Sequence, residues 1–359
     1  MDAAALRARR AAAQLLHRPS VAGAARVVRE LLAVQAQDAR AARLALRART
    51  EGLTAAAVHA ALSDERSIVA AWLGRGTLHL VTPDDYPWLL GLTAPRGAAG
   101  GERRLRQEGV SADDAERAVA IVERALAADG ALTRAELAER IRAAGIRAAG
   151  QATPHLLGLA ARRGVAVLGP VRDGERAFAL ARDWLGATPE LPLPADRRDA
   201  ALAELARRYL RGHGPASAAD LAAWAGLPLR DARAALQAIG GELADAGPGG
   251  LVDLAGRPEP PPEALAPRLL PAFDPYLLGW KDRGFAVPDA HARRVHPGGG
   301  ILRAVATSDG VAVGTWSARR RGASLDIAIE PFGPLGVGVA EALDREAGDV
   351  ARFEDLERA

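Results

Sequence analysis

The 359-residue chain is 49% apolar, enough for substantial cores, and its 38 glycines and 23 prolines fall short of a disordered composition. Cysteine is absent, which excludes disulfides, cysteine–zinc centres and thiol nucleophiles. Lys plus Arg exceed Asp plus Glu by 47 to 44, a net charge of +3 that is too small to identify a partner by itself.

The N-terminus, MDAAALRARRAAAQLL, reads as a helix rather than a signal peptide. Apolar runs are broken by charge before membrane-spanning length, so the expectation is a cytoplasmic protein with no membrane partner. Helices are predicted over Ala4–Leu16 and Ser20–Leu32, the second capped by Ser20. A short helix follows at 54–62 with Thr54 as N-cap, then a helix over Glu65–Gly74, a strand over Thr77–Val81 and a helix starting at Asp84–Leu90. These make a first module, residues 1–110.

A second module, 111–190, holds helices at Ala112–Ala128 (capped by Ser111), after the Thr133/Glu136 capping box, and at Thr153–Arg163. Val165–Leu168 and Ala177–Leu180 flank an Asp173–Gly174 turn, as in a wing hairpin. Beyond the ELPLPAD joint, a third module at 196–260 has helices at Arg198–Arg211, Ser217–Ala225 and Leu229–Ile239. A Pro-rich joint leads to residues 268–359, where short strands at Ile301–Thr307, Val311–Trp316 and Ser324–Ile329 precede a helix over Gly338–Leu356.

One phrase recurs through these modules. Gly52–Leu62 reads GLTAAAVHAAL, Gly130–Ile141 reads GALTRAELAERI and Gly214–Ala225 reads GPASAADLAAWA. Each sets a hydroxyl residue (Thr54, Thr133, Ser217) before a short apolar helix, followed by helical and then strand-forming sequence. That is the grammar of tandem winged helix–turn–helix units, which mostly contact nucleic acid. The predicted fold class is therefore α+β: three tandem winged-helix modules with a β-rich C-terminal part.

All bases but Lys281 are arginines, clustered at Arg7–Arg10, Arg103–Arg106, Arg162–Arg163, Arg197–Arg198 and Arg319–Arg321. Each cluster reads either as a solvated face or as a phosphate contact. The seven histidines are scattered without metal-ligand spacing, so no metal site is expected.

Three stretches depart from ordinary core patterning. Gln35-Ala36-Gln37-Asp38 follows the second helix; the amides and carboxylate either cap the helix exit or, on extended backbone, place Gln35 and Gln37 on one side of a pocket. In the second stretch, Arg75 sits at a helix-to-strand junction, suited to a phosphate or a carboxylate such as Asp38. Thr77 and His79 then share one strand face while Leu78 and Leu80 face the core. The third, LLPAFDPYLLGWKDR, interleaves Phe273, Tyr276 and Trp280 with Asp274, Lys281, Asp282 and Arg283. It suits a nucleic-acid surface, or equally a domain interface in which Asp274 and Arg283 pair.

Taken in order, Gln35-Ala36-Gln37-Asp38, Arg75-Gly76-Thr77-Leu78-His79 and Phe273-Asp274-Pro275-Tyr276-Leu277-Leu278-Gly279 resemble the winged-helix family of bacterial alkylpurine DNA glycosylases, which includes enzymes that unhook interstrand crosslinks. The resemblance runs from about residue 8 to about residue 350. It implies a concave monomer acting on damaged double-stranded DNA without a cofactor, and a hairpin near the active site that probes the duplex. It also implies a Gln–apolar–Gln or Gln–apolar–Asp catalytic motif, of which Gln35-Ala36-Gln37 fits the first form, with Gln37 positioning water and Gln35 as its partner; Asp38, Arg75, Thr77 and His79 are supporting candidates. Asp274, Tyr276, Trp280, Lys281, Arg283, Arg319, Arg320 and Arg321 are candidates for DNA contact or for an interface.

The chemistry is coherent for one substrate class. A glutamine amide is hardly a base, but an N7- or N3-alkylated purine is already cationic and leaves readily, so placing a water is the main demand. With no lysine near the motif, a monofunctional enzyme is expected over a Schiff-base lyase. The competing reading is a non-catalytic winged-helix DNA-binding protein or transcriptional regulator, which would read one undamaged operator.

Overall fold

The computed structural model describes residues 1–19, 23–74, 76–172, 174–186 and 188–358, with backbone alone at 95–100 and 102. The chain divides into two compact units, Met1–Val58 with Leu202–Ala359, and His59–Ala201. The fold is mixed α+β, and no helix among the described residues is long and apolar enough to cross a membrane.

The first unit opens with α1 (Ala3–Ala13), capped by Asp2, and α2 (Ala24–Leu31), whose stripe of Val27, Val28 and Leu31 is buried. The expected cap Ser20 lies outside the described residues. Leu32 then adopts φ +66° and ψ −45° while the Ala33 amide donates to the Leu31 carbonyl. That is a γ-turn of the rare positive-φ kind, a conformation that costs a non-glycine residue on the order of 1–3 kcal/mol. It turns the chain sharply into β1 (Val34–Gln35) and then α3 (Ala39–Arg47), a helix in a stretch to which the sequence pattern assigns no element. Thr54 caps α4 (Ala55–Ser63) through the Ala57 amide.

In the second unit, residues expected as the helix Glu65–Gly74 instead hold β2 (Val69–Leu73). Four of its five residues are buried, and it pairs antiparallel with β3 (Thr77–Val81), Val69 opposite Val81 through Leu73 opposite Thr77. A five-residue apolar run carries no period by which helix and strand can be told apart; burial on both faces decides for strand. Helices α5 (Tyr86–Gln107), α6 (Ala112–Asp129), α7 (Arg134–Ala143) and α8 (Ala152–Arg162) follow. The hairpin of β4 (Ala166–Arg172) and β5 (Glu175–Leu180) comes next, then the short α9 (Ala181–Leu185). Asp173 of the expected turn lies outside the described residues. Ser111 caps α6, and Thr133 and Glu136 form the full capping box of α7. β4 pairs with β2 on one side and β5 on the other, and Trp72 stacks on Phe178 with ring centroids 6.0 Å apart.

The chain re-enters the first unit within α10 (Ala195–His213). It continues through α11 (Ala218–Ala225), capped by the Ser217–Asp220 box, α12 (Leu229–Ala238) and a hairpin of β6 (Leu243–Gly247) and β7 (Leu251–Leu254). Three helices followed by a hairpin, the element order of a winged helix, thus occur at α6–β5 and again at α10–β7. The C-terminal part builds a five-stranded sheet. Its strands are β8 (Arg268–Leu270), β9 (Val305–Ser308), β10 (Val311–Arg321), β11 (Ser324–Pro331) and β12 (Glu357–Arg358), in the order β12-β11-β10-β9-β8. Only the β11–β12 pairing is parallel. The short helices α13 (Pro275–Leu278) and α14 (Ala292–Val295) precede β9, and the closing α15 (Val337–Phe353) buries Leu343, Ala347, Val350 and Phe353.

Candidate functional site

Between β1 and α3 burial alternates: Val34 and Ala36 are buried, Gln35 is half-buried and Gln37 is exposed. The period of two is that of extended chain, and it gives the two glutamines the face opposite the core-anchored pair. Asp38 ends the stretch as N-cap of α3, its Oδ1 accepting from the Ala41 amide at 2.9 Å. Asp38 is thus the helix cap, while Gln35 and Gln37 take the less buried face of the extended stretch.

Helix α3 is held to the C-terminal segment by charge. Arg40 and Arg43 both reach Glu354, at 2.9 and 3.6 Å, and buried Arg47 reaches Glu346 at 3.0 Å, Asp349 at 3.1 Å and the Leu269 carbonyl at 2.7 Å. Beyond its C-terminus, Arg49 donates to both oxygens of Asp274, at 2.8 and 2.9 Å, with neither side chain exposed, and to Gln14 at 2.8 Å. Such a desolvated bidentate pair fixes direction as well as distance, so the turn carrying Gln37 springs from a rigid base. The spacing of Arg40, Arg43 and Arg47 along one helix face, answered by Glu346, Asp349 and Glu354 near the C-terminus, is the sequence signal for this contact. It is readable only once the two segments are known to meet.

Along the first turns of α3 lies an open hollow lined by Asp38, Arg40 and Leu44 from the α3 segment, and by Pro271, Ala304 and Trp316 among others from the sheet side. The indole of Trp316 is fixed by donation of its Nε1–H to the Leu270 carbonyl at 2.7 Å. The hollow therefore joins a mainly apolar wall to one carboxylate and one guanidinium. Trp316 had no place among the expected site residues; it belongs to a strand, and only the long-range approach of residues 38 and 316 gives it one.

In the second unit, Thr77 and His79 are half-buried on one face of β3, while Leu78 and Leu80 are buried. The His79 Nδ1 lies 3.0 Å from the Thr77 carbonyl oxygen. Arg75 lies outside the described residues.

The LLPAFDPYLLGWKDR stretch divides. Asp274, Tyr276 and Trp280 are 0%, 0% and 3% exposed, which removes them from a nucleic-acid surface. Asp274 pairs with Arg49, not with Arg283, whose Nε instead donates to the Leu277 carbonyl at 2.7 Å. Tyr276 and Trp280 join Tyr209, His213, Trp224 and Phe285 in an aromatic cluster, with the Arg10 guanidinium 4.6 and 4.5 Å from the Trp280 and Phe285 ring centres. Aromatic residues interleaved with charge here mark a core around a buried cation–π contact. Lys281 stays exposed, as do Arg319, Arg320 and Arg321 at the end of β10. Of these, Arg321 lies 3.3 Å from Asp326, and the Arg320 Nε donates to the Gly322 carbonyl.

Comparison with known proteins gives one consistent result. A family model described as DNA glycosylase AlkZ-like matches residues 28–353. An interstrand DNA cross-link repair glycosylase of Streptomyces sahachiroi is 29% identical, over 96% of this chain and 94% of that protein. The solved structure of the Streptomyces sahachiroi DNA glycosylase AlkZ superposes with a TM-score of 0.77 at 26% identity, covering 99% of this chain and 98% of that one.

Proposed function

Since the chain belongs to the AlkZ-like DNA glycosylase family, we propose that it is a monofunctional glycosylase that hydrolyses the N-glycosidic bond of N7- or N3-alkylated purines in duplex DNA, bulky adducts and crosslinks included. The observation that carries this reading is the exposed Gln37 immediately before Asp38, which caps α3 and lines a hollow open to solvent; Gln35 and Gln37 themselves are not among the residues lining it.

In the proposed reaction the Gln37 carbonyl oxygen accepts a hydrogen bond from a water and holds it on the face of the sugar opposite the base, with Gln35 steadying that amide. As the bond from C1′ to the purine nitrogen breaks, its electron pair neutralises the cationic base, so no acid is needed. The water oxygen bonds to C1′ and releases its proton to solvent. Asp38 uses one carboxylate oxygen for the α3 cap and lines the hollow, where its negative charge favours the developing sugar cation. Supplying position rather than proton transfer, Gln37 is worth roughly 10²-fold in rate.

The same reading assigns the duplex-probing hairpin to β10–β11. Trp316, Ser317 and Ala318 line the hollow, and the next three residues are the exposed Arg319, Arg320 and Arg321 at the hairpin turn. Three cations just beyond the hollow suit the phosphates flanking a lesion. Thr77 and His79 belong to the second unit, and no step of the proposed reaction is assigned to them.

The test is base release from duplexes carrying N7-methylguanine, N3-methyladenine or a bulky N7 adduct, with strand integrity followed in parallel. The proposal expects free base and an intact abasic strand that borohydride does not trap on the protein. Tight binding to one undamaged operator with no base release would favour a regulator.

A further inference from the structure

Between α14 and β9 the chain makes a narrow projecting loop, His296–Arg303, closed at its base by the Arg303 amide donating to the Val295 carbonyl at 2.9 Å. Gly298, Gly299 and Gly300 take φ of +106°, +61° and +76°, a run of left-handed backbone that only glycine adopts readily. The Ile301 amide closes the turn onto the Gly298 carbonyl at 3.1 Å, and the His296 Nδ1 lies 2.6 Å from the Ile301 carbonyl oxygen. Buried Leu302 anchors the loop, while Ile301 is 52% exposed at its end. From Ala290 to Ala304 there is no acidic residue, but Arg293, Arg294 and Arg303 are present and all exposed.

We propose that Ile301 is a wedge that enters duplex DNA at a base step beside the lesion, with Arg293, Arg294 and Arg303 on the neighbouring phosphates. The proposal rests on the glycosylase reading above. An apolar side chain offered alone on a side-chain-free glycine turn, within a cationic surround, matches what insertion between bases needs: a slim tip, no polar group to desolvate, and phosphate contacts to offset unstacking. Its position is bounded by the chain. Ala304 lines the hollow beside Asp38, and three residues of backbone span at most about 11 Å, on the order of three base-pair rises. Ile301 therefore stays within reach of the steps flanking a lesion held at the hollow. Opening such a step loosens the stack over the damaged nucleotide and lets the sugar approach Gln37.

The experiment uses the full chain and a duplex bearing a 2′-fluorinated 7-methylguanine, which retains its base, with 2-aminopurine placed step by step on either side. Anisotropy reads binding and 2-aminopurine fluorescence reads unstacking. The wild-type protein is expected to raise fluorescence at one flanking step. Ile301→Ser should lose that rise and bind roughly tenfold more weakly, with unchanged thermal stability, and Ile301→Leu should keep both properties. A rise undiminished in Ile301→Ser, or no rise at any step under saturating wild-type protein, overturns the wedge and leaves the glycosylase reading standing. Failure of the wild-type protein to bind the duplex overturns both.

Discussion

Single residues in this chain divide into those the solvent can reach and those whose chemistry is spent inside. Gln37 is of the first kind; His213 is of the second. Burial drives the His213 imidazole down to about 3, against the opposing pull of the Tyr209 carbonyl at its Nδ1. The neutral ring is the one that fits, so its contribution is complete above the unfolded value of about 6.5. It is lost as pH falls towards 3, at about 1.4 kcal/mol per pH unit. Urea unfolding of the wild type and His213→Leu should therefore show a stability difference that shrinks by about 2 kcal/mol between pH 6.5 and pH 5. A difference independent of pH would mean that His213 is hydrated in the folded protein. At this scale the sequence revealed which residues were unusual but not what they meet: nothing around Asp274 announces Arg49, because the two lie 225 positions apart.

Elements in this fold approach one another closely where side chains are missing. A Cβ at Gly212 of α10 would stand 2.8 Å from the Glu30 carbonyl oxygen and 3.0 Å from the Leu31 Cα, so α10 and the end of α2 touch backbone to backbone. Gly212→Ala must push them apart. We expect a loss of about 1–3 kcal/mol in urea unfolding, and a larger fall in base release than in DNA affinity, because α2 leads directly into Gln35 and Gln37. Wild-type stability in this variant would show that the helices can separate without strain. Local signals made most elements legible. Thr54, Ser111, Thr133 and Ser217 each cap the helix expected of them, since a cap depends on residues within one turn. What failed was set by distant partners. β2 is a strand because β3 and β4 flank it, and the arginine-rich α3 is a helix whose charged face is answered by the C-terminal α15.

On the scale of the whole molecule, a net charge of +3 conceals an uneven distribution. Many arginines are neutralised within the fold, as Arg47 and Arg49 are, whereas Arg293, Arg294, Arg303 and Arg319–Arg321 face solvent. If these meet phosphates, duplex affinity should fall steeply between ~50 and ~200 mM salt, with a log–log slope of about −0.9 per phosphate engaged. Replacing Arg319, Arg320 and Arg321 by Gln should flatten that slope. An unchanged slope would take the hairpin out of the DNA interface. Family membership was legible from three short motifs in order, of which Gln35-Ala36-Gln37-Asp38 is the one to which we assign the chemistry. The hollow beside it was not, because Asp38 and Trp316 become neighbours only through folding.

The central claim is that Gln37 places the attacking water. Single-turnover release of 7-methylguanine by Gln37→Ala, measured beside duplex affinity, tests it most directly. The account predicts a rate lower by roughly 10²-fold with affinity little changed. A rate equal to that of the wild type at full binding would contradict it.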